Sequence, residues 1–200
     1  MTMIQSITES TAQITTEKIV WTDEAFMALS GDGHRYEIVN SELIDMGNSG
    51  ALHGYICILL SSALISHVLT NKLGVILDSS TAFKMKSGNK RSPDISFFAK
   101  ERLGGISHLP SGFLTGAPDL AVEVLSPTNN IEEIDGKISE YFENGTKLIW
   151  VISPTQHYIL VYRCAAEPDR LLKSVDFLDG EEVISGFSYA IANLFQPLSF

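Results

Sequence analysis

Four runs between residues 92 and 151 decide how this chain is read: S-P-D-I-S-F-F at 92–98, A-P-D-L-A-V-E-V-L-S-P at 117–127, D-G-K-I-S-E-Y-F-E-N-G at 135–145 and K-L-I-W-V at 147–151. The second and fourth are short apolar runs of the kind that form strands covered on both faces. The third has helical periodicity, with Ile131, Ile134, Ile138, Tyr141 and Phe142 forming one stripe, and it ends at Gly145, a residue suited to the left-handed turn after a helix. Three charged residues interrupt these apolar patterns. Glu123 falls in mid-strand, Lys137 falls within the stripe, and Asp94 opens the strand 95–98. A charge placed in an apolar environment costs desolvation energy unless it is paired, so these positions are the functional lead.

Working outward, the segment 1–18 is polar and Thr/Ser-rich and reads as a flexible lead-in to a single domain over 19–200. Thr22, followed by Asp23 and Glu24, marks a helix start. Residues 35–39 and 42–46 read as two strands joined at Asn40-Ser41, a hairpin turn. Residues 52–70 carry Ile56, Leu59, Leu60, Ala63, Leu64 and Val68 at helical spacing. Strands are expected at 75–77, 81–85, 158–162, 171–175 and 182–184, a turn at Gly88-Asn89, loop or short helix over 100–117, and a short helix at 189–195. The pattern predicts a mixed α/β (α+β) fold: one twisted mixed sheet flanked by helices.

Composition narrows the function. A hydrophobic fraction of 44% and a charged fraction of 19% are those of a globular protein, and a net charge of -10 argues against nonspecific binding of nucleic acid by the whole surface. Cys57 and Cys164 lack the spacing of a zinc motif or disulfide framework. The apolar segment 55–69, broken by serines and His67, reads as too short to span a bilayer. A cytoplasmic protein without membrane association is expected.

Alternation along the strand puts Asp119, Ala121, Glu123 and Leu125 on one face. A helix folded back after the Pro127 turn brings Lys137 toward Glu123, and Asp94 can approach from the side. Two carboxylates and a lysine in one cleft suit metal-assisted phosphodiester hydrolysis: the acids are hard ligands for Mg²⁺, and the lysine orients or helps deprotonate the attacking water. Plainer readings stand beside this one. Asp94 also suits a turn, Lys137 can reach solvent along its stem, and Glu37 reads as either a further acidic member or a surface carboxylate. His53 suits a helix cap or a DNA-side contact, Tyr141 a core position, and Asp119 a strand-opening residue bonding local backbone. Lys84, Lys86, Lys90 and Arg91 read as a solvated loop, with a DNA-tracking cluster as the alternative.

The runs quoted above, with R-Y-E-I-V-N-S-E-L at 35–43, H-G-Y-I-C-I-L-L at 53–60 and I-S-G-F-S-Y-A-I-A-N-L-F at 184–195, resemble the Uma2 family of restriction endonuclease-like proteins within the PD-(D/E)XK nuclease superfamily. The resemblance covers most of residues 20–197, and such proteins are common in cyanobacteria. It implies a restriction-endonuclease-like fold, Mg²⁺-dependent cleavage of DNA with Mn²⁺ as a substitute, and a homodimer. Carried over by position, Asp94 and Glu123 would be metal ligands, the backbone carbonyl of Val124 a third oxygen, and Glu37 an added acidic group. The superfamily's lysine two residues after the glutamate is replaced by Leu125, with Lys137 as its migrated counterpart. Ser41 stands where the family has a turn glycine. A nuclease-fold module that binds DNA or protein with little catalysis is the competing reading.

Overall fold

The computed structural model describes residues 21–29, 31–127 and 129–199, so the expected lead-in at 1–18 lies outside the described residues. In chain order the elements are helix α1 (Asp23–Met27), the hairpin β1 (Tyr36–Val39) and β2 (Glu42–Asp45), helix α2 (Ala51–Asn71), strands β3 (Gly74–Asp78), β4 (Phe83–Lys84), β5 (Lys90–Arg91) and β6 (Ile95–Ala99), a 3₁₀ turn at Lys100–Leu103, strands β7 (Leu114–Thr115) and β8 (Leu120–Val124), helix α3 (Ile131–Glu143), strands β9 (Leu148–Ser153), β10 (Tyr158–Tyr162), β11 (Arg170–Leu172), β12 (Phe177–Asp179) and β13 (Ser188–Ala190), and helix α4 (Ala192–Phe195).

The mixed α/β expectation holds, with a different division of strands. The central sheet has the order β11-β10-β9-β8-β6-β3, and β8–β9 is its one parallel pair. Instead of lying in one sheet with these, the described strands also form a five-stranded sheet, β2-β1-β5-β4-β7, and a β12-β13 ribbon. Three members of the five-stranded sheet are two residues long, too short for any alternation to be seen in sequence. Residues 182–184, expected as a strand, instead form a turn between β12 and β13. Gly180 is required there, because a Cβ would collide with the backbone oxygen of Ile184.

Helix α2 covers one face of the central sheet and α3 the other. Ile56, Leu60, Leu64 and Val68 pack with Leu120, Val122, Val124, Trp150 and Ile152. On the opposite face Ile134, Ile138 and Tyr141 meet Ala121, Ile149 and Val151. Each fully buried aliphatic side chain contributes about 1.5–3 kcal/mol, so these two layers dominate the fold's stability. Ile131, placed in the α3 stripe by periodicity, is exposed: it is the first residue of the helix and projects beyond the sheet. Helix α2 runs 21 residues rather than the shorter apolar stretch read from sequence, and by length and composition alone it could cross a membrane. Here it lies along the sheet.

The β1–β2 turn places Asn40 at φ 52° and Ser41 at φ 70°. Ser41 therefore adopts the left-handed conformation in which glycine is less strained.

Candidate active site

Register brings the two acids together. Strand β6 pairs antiparallel with β8 through Ile95 opposite Val122, and continuing that register by one residue sets Asp94 opposite Glu123. The Asp94 carboxylate closes the end of this ladder: its Oδ2 accepts from the Val124 backbone N–H at 2.8 Å. Strand β8, helix α3 and the parallel strand β9 form a crossover that folds α3 back over Glu123.

Glu123 is buried, and both its oxygens are engaged. Lys137 Nζ lies 3.1 Å from Oε2, and the Tyr141 hydroxyl donates to Oε1 at 2.6 Å. Burial pushes the Glu123 carboxyl up to about 7; Lys137 opposes that shift, while the charges of Asp94 and Glu37 add to it. Burial works against the Lys137 charge too, but Glu123 and Glu37 outweigh it and hold the ammonium above its ordinary range. Tyr141 is both a core residue, as expected, and a direct partner of Glu123, which periodicity alone does not reveal.

Glu37 is buried rather than on the surface. Its Oε1 lies 3.4 Å from Lys137 Nζ and accepts from the Ser92 N–H at 3.0 Å, while Oε2 accepts from Arg91 Nη1 at 2.9 Å. Arg91 Nε in turn donates to Glu140 Oε2 at 2.6 Å. Of the segment read as a solvated loop, Lys90 and Arg91 are buried, while Lys86 is exposed as expected. Lys90 is 1% exposed, with Nζ 3.2 Å from Asp23 and within 5.6 Å of the Phe26 and Phe113 ring centres. Lys84 also pairs with Asp23, and Lys86 donates to the Glu143 carbonyl. Burial withdraws Lys90 and Arg91 from any track for a DNA backbone.

His53 and Arg35 are the site residues whose place the sequence concealed. Gly50, not His53, occupies the α2 N-cap, and His53 Nε2 sits 3.1 Å from Asp94 Oδ2. Arg35 Nη1 approaches Asp94 Oδ1 to 4.0 Å. Cys57 Sγ lies 3.6 Å from His53 Nδ1, and burial, with the Asp94 charge, pushes its thiol up to about 12. Both contacts with Asp94 join segments more than 40 residues apart, and no local spacing announces them.

Asp94, Glu123, Val124 and Lys137 line one narrow cleft of about 60 Å³, open between His53, Ser126 and Asn129. At roughly 30 Å³ per molecule, that space accommodates about two waters. The donors suit a small hard cation. Among the described residues, Asp94 Oδ1 has only the distant Arg35 as a charged partner, and each engaged carboxylate oxygen retains a second lone pair. The charge around the cleft points the same way: Asp94, Glu123, Glu37 and Glu140 face the buried cations Lys137 and Arg91, with Arg35 only partly buried at the rim. Val124 lines the cleft, and its N–H is committed to Asp94. Asp119, at the far end of β8, accepts from the Ala99 N–H and from Arg102, as suits a strand-opening residue.

A solved structure described as a "putative nuclease belonging to DUF820", from Anabaena variabilis ATCC 29413, shares this fold with a TM-score of 0.73 and 21% identity, covering 88% of this chain and 97% of that one. No curated protein matches the chain. The Uma2 family model, described as "Putative restriction endonuclease", matches residues 23–192. That match spans both sheets and every residue of the cleft, and the chain belongs to the Uma2 family.

Proposed function

We propose that the chain is a metal-dependent endonuclease that hydrolyses DNA phosphodiester bonds and works as a homodimer, with Asp94 and Glu123 holding Mg²⁺ or Mn²⁺. The observation that carries this reading is the meeting of these two carboxylates and Lys137 in one cleft, in a family described as restriction endonucleases. The Val124 carbonyl is assigned as a third oxygen. A bound divalent cation supplies Lewis-acid charge stabilisation at the phosphate and lowers the pKa of a bound water.

The side chains divide the remaining work. Asp94 is fixed by the Val124 N–H and by His53, so its Oδ1 is presented to the cleft with little freedom left to lose. Glu123 is aimed by Tyr141 and Lys137. Lys137 stays an ammonium because Glu123 and Glu37 hold its charge, so it acts as a donor that orients water and offsets charge on the phosphate, not as the base that takes the proton. Glu37 and Arg91 are positioning residues: Glu37 fixes Lys137 from behind, and Arg91 ties Glu37 to Glu140 on α3.

The test is Mg²⁺- and Mn²⁺-dependent cleavage of plasmid and single-stranded DNA. Glu123→Ala should lower cleavage at least on the order of a hundredfold while circular dichroism shows the fold retained. Undiminished cleavage would overturn the assignment. DNA binding without metal affinity in the wild type would instead favour a noncatalytic binding module.

A further inference from the structure

Helix α2 is apolar on two faces, and the described residues cover only one. Ile56, Leu60, Leu64 and Val68 are buried against the sheet. On the opposite side Leu52 is 50% exposed, Tyr55 42%, Ile58 68%, Ile65 42% and Leu69 65%. Tyr55, Ile58, Ser62, Ile65 and Leu69 follow one another at steps of three, four, three and four residues, the spacing of a seam between paired helices. With large side chains offering about 150–250 Å² each, five of them roughly half exposed present on the order of 500 Å² of apolar surface. That is at the upper end of the roughly 300–600 Å² found on monomers, and with flanking Gly54, Ser66 and Thr70 it approaches the roughly 800 Å² per partner of a stable interface.

We infer that this face is where two copies of the chain pair, α2 against α2, across a two-fold axis near Ser62. The symmetry of the stripe about Ser62 selects a second copy as the occupant, and the absence of charge on this face permits it. Each chain carries a net charge of -10, so two copies repel over most of their surfaces, yet α2 contains no Asp, Glu, Lys or Arg in its 21 residues. The stripe is also self-complementary when run antiparallel about Ser62. The small Ser62 meets itself and allows close approach, Tyr55 lies opposite the partner's Leu69, and Ile58 falls within one residue of the partner's Ile65. The face therefore supplies the surface for the proposed homodimer.

Sedimentation of the full chain without metal or DNA tests the pairing separately from the nuclease reading. The wild type should sediment at twice 21.9 kDa. Ile58→Glu and Ile65→Glu replace exposed side chains and should weaken association at least tenfold with unchanged circular dichroism. Because no ion pairs are involved, added salt should tighten the dimer by screening the repulsion. Ser62→Cys, in a Cys164→Ser background, should form an intermolecular disulfide under mild oxidation, which a symmetric pairing centred elsewhere would not permit. A wild type that is monomeric at tens of micromolar, a dimer indifferent to both glutamates, or a Ser62→Cys chain that stays uncrosslinked would overturn the inference. Flotation of a monomeric wild type with neutral phosphatidylcholine vesicles, lost in the same variants, would overturn it in favour of a bilayer surface.

Discussion

Strand β8 carries a buried carboxylate at each end of its α3 face, and the two have opposite characters. Asp119, just before the strand, is 0% exposed and is held by the Ala99 N–H at 2.9 Å, Arg102 at 3.2 Å and Lys147 at 3.0 Å. Arg102 and Lys147 keep part of their surface in water, so the Asp119 charge is compensated by cations that are inexpensive to place. Glu123, four residues on, shares its surroundings with Asp94 and Glu37, and its nearest cation is itself buried. Burial alone therefore does not mark a working carboxylate. Crowding by other acids is what sets Glu123 apart, and under the proposed function it leaves a deficit of positive charge for a metal ion to fill.

The largest effect that could break this contrast is on stability. Lys137→Ala leaves Glu123 and Glu37 without their shared cation and should destabilise the fold by about 3–5 kcal/mol in urea titrations. The deficit should grow with pH. The folded Glu123 carboxyl keeps its proton to about 7, against an ordinary value of 4.5, so the folded state binds more protons in that window and this group's contribution to stability declines as pH rises through it. Removing Lys137 raises that carboxyl further, so the variant should fare worse at pH 8 than at pH 6. A deficit independent of pH would contradict the crowded-carboxylate description.

Asp119→Ala should cost about 1–3 kcal/mol, the price of an unpaired buried N–H beside two cations that can turn to water. A loss of metal affinity in this variant would erase the distinction between the two ends of the strand. pH sharpens the same distinction. With Glu123 as the proposed ligand, which must be ionised to bind, Mn²⁺ affinity should fall about tenfold per unit as pH drops below 7, in the wild type and in Asp119→Ala alike. Calorimetry between pH 5.5 and 8 reads this slope. The smallest effect lies in the hairpin that carries Glu37: Ser41→Gly relieves a left-handed backbone and should stabilise by about 1 kcal/mol without altering metal binding.

The central sheet was legible because its strands are long enough to show themselves and α2 and α3 carry clear periodicity. Glu123 and Lys137 stood out because each breaks an apolar pattern, and a broken pattern is visible one segment at a time. The five-stranded sheet was not legible, since two-residue strands have no period. Its formation is also what buries Lys90 and Arg91, residues that look like a solvated turn beside Gly88-Asn89. His53 and Arg35 were hidden for a related reason: the chain brings them to Asp94 only after α2 has docked on the sheet and the β1–β2 hairpin has formed. Glu37 stands between these cases, since the resemblance named it and only the fold gave it Lys137 and Arg91 as partners.

The most direct test of the account is Mn²⁺ calorimetry on the wild type, Asp94→Ala and Asp119→Ala at pH 7.5. Binding in the wild type and in Asp119→Ala, with loss of at least a hundredfold in Asp94→Ala, is the predicted result. Equal affinity in all three proteins, or loss through Asp119 instead of Asp94, would contradict the placement of the site at the Glu123 end of the strand.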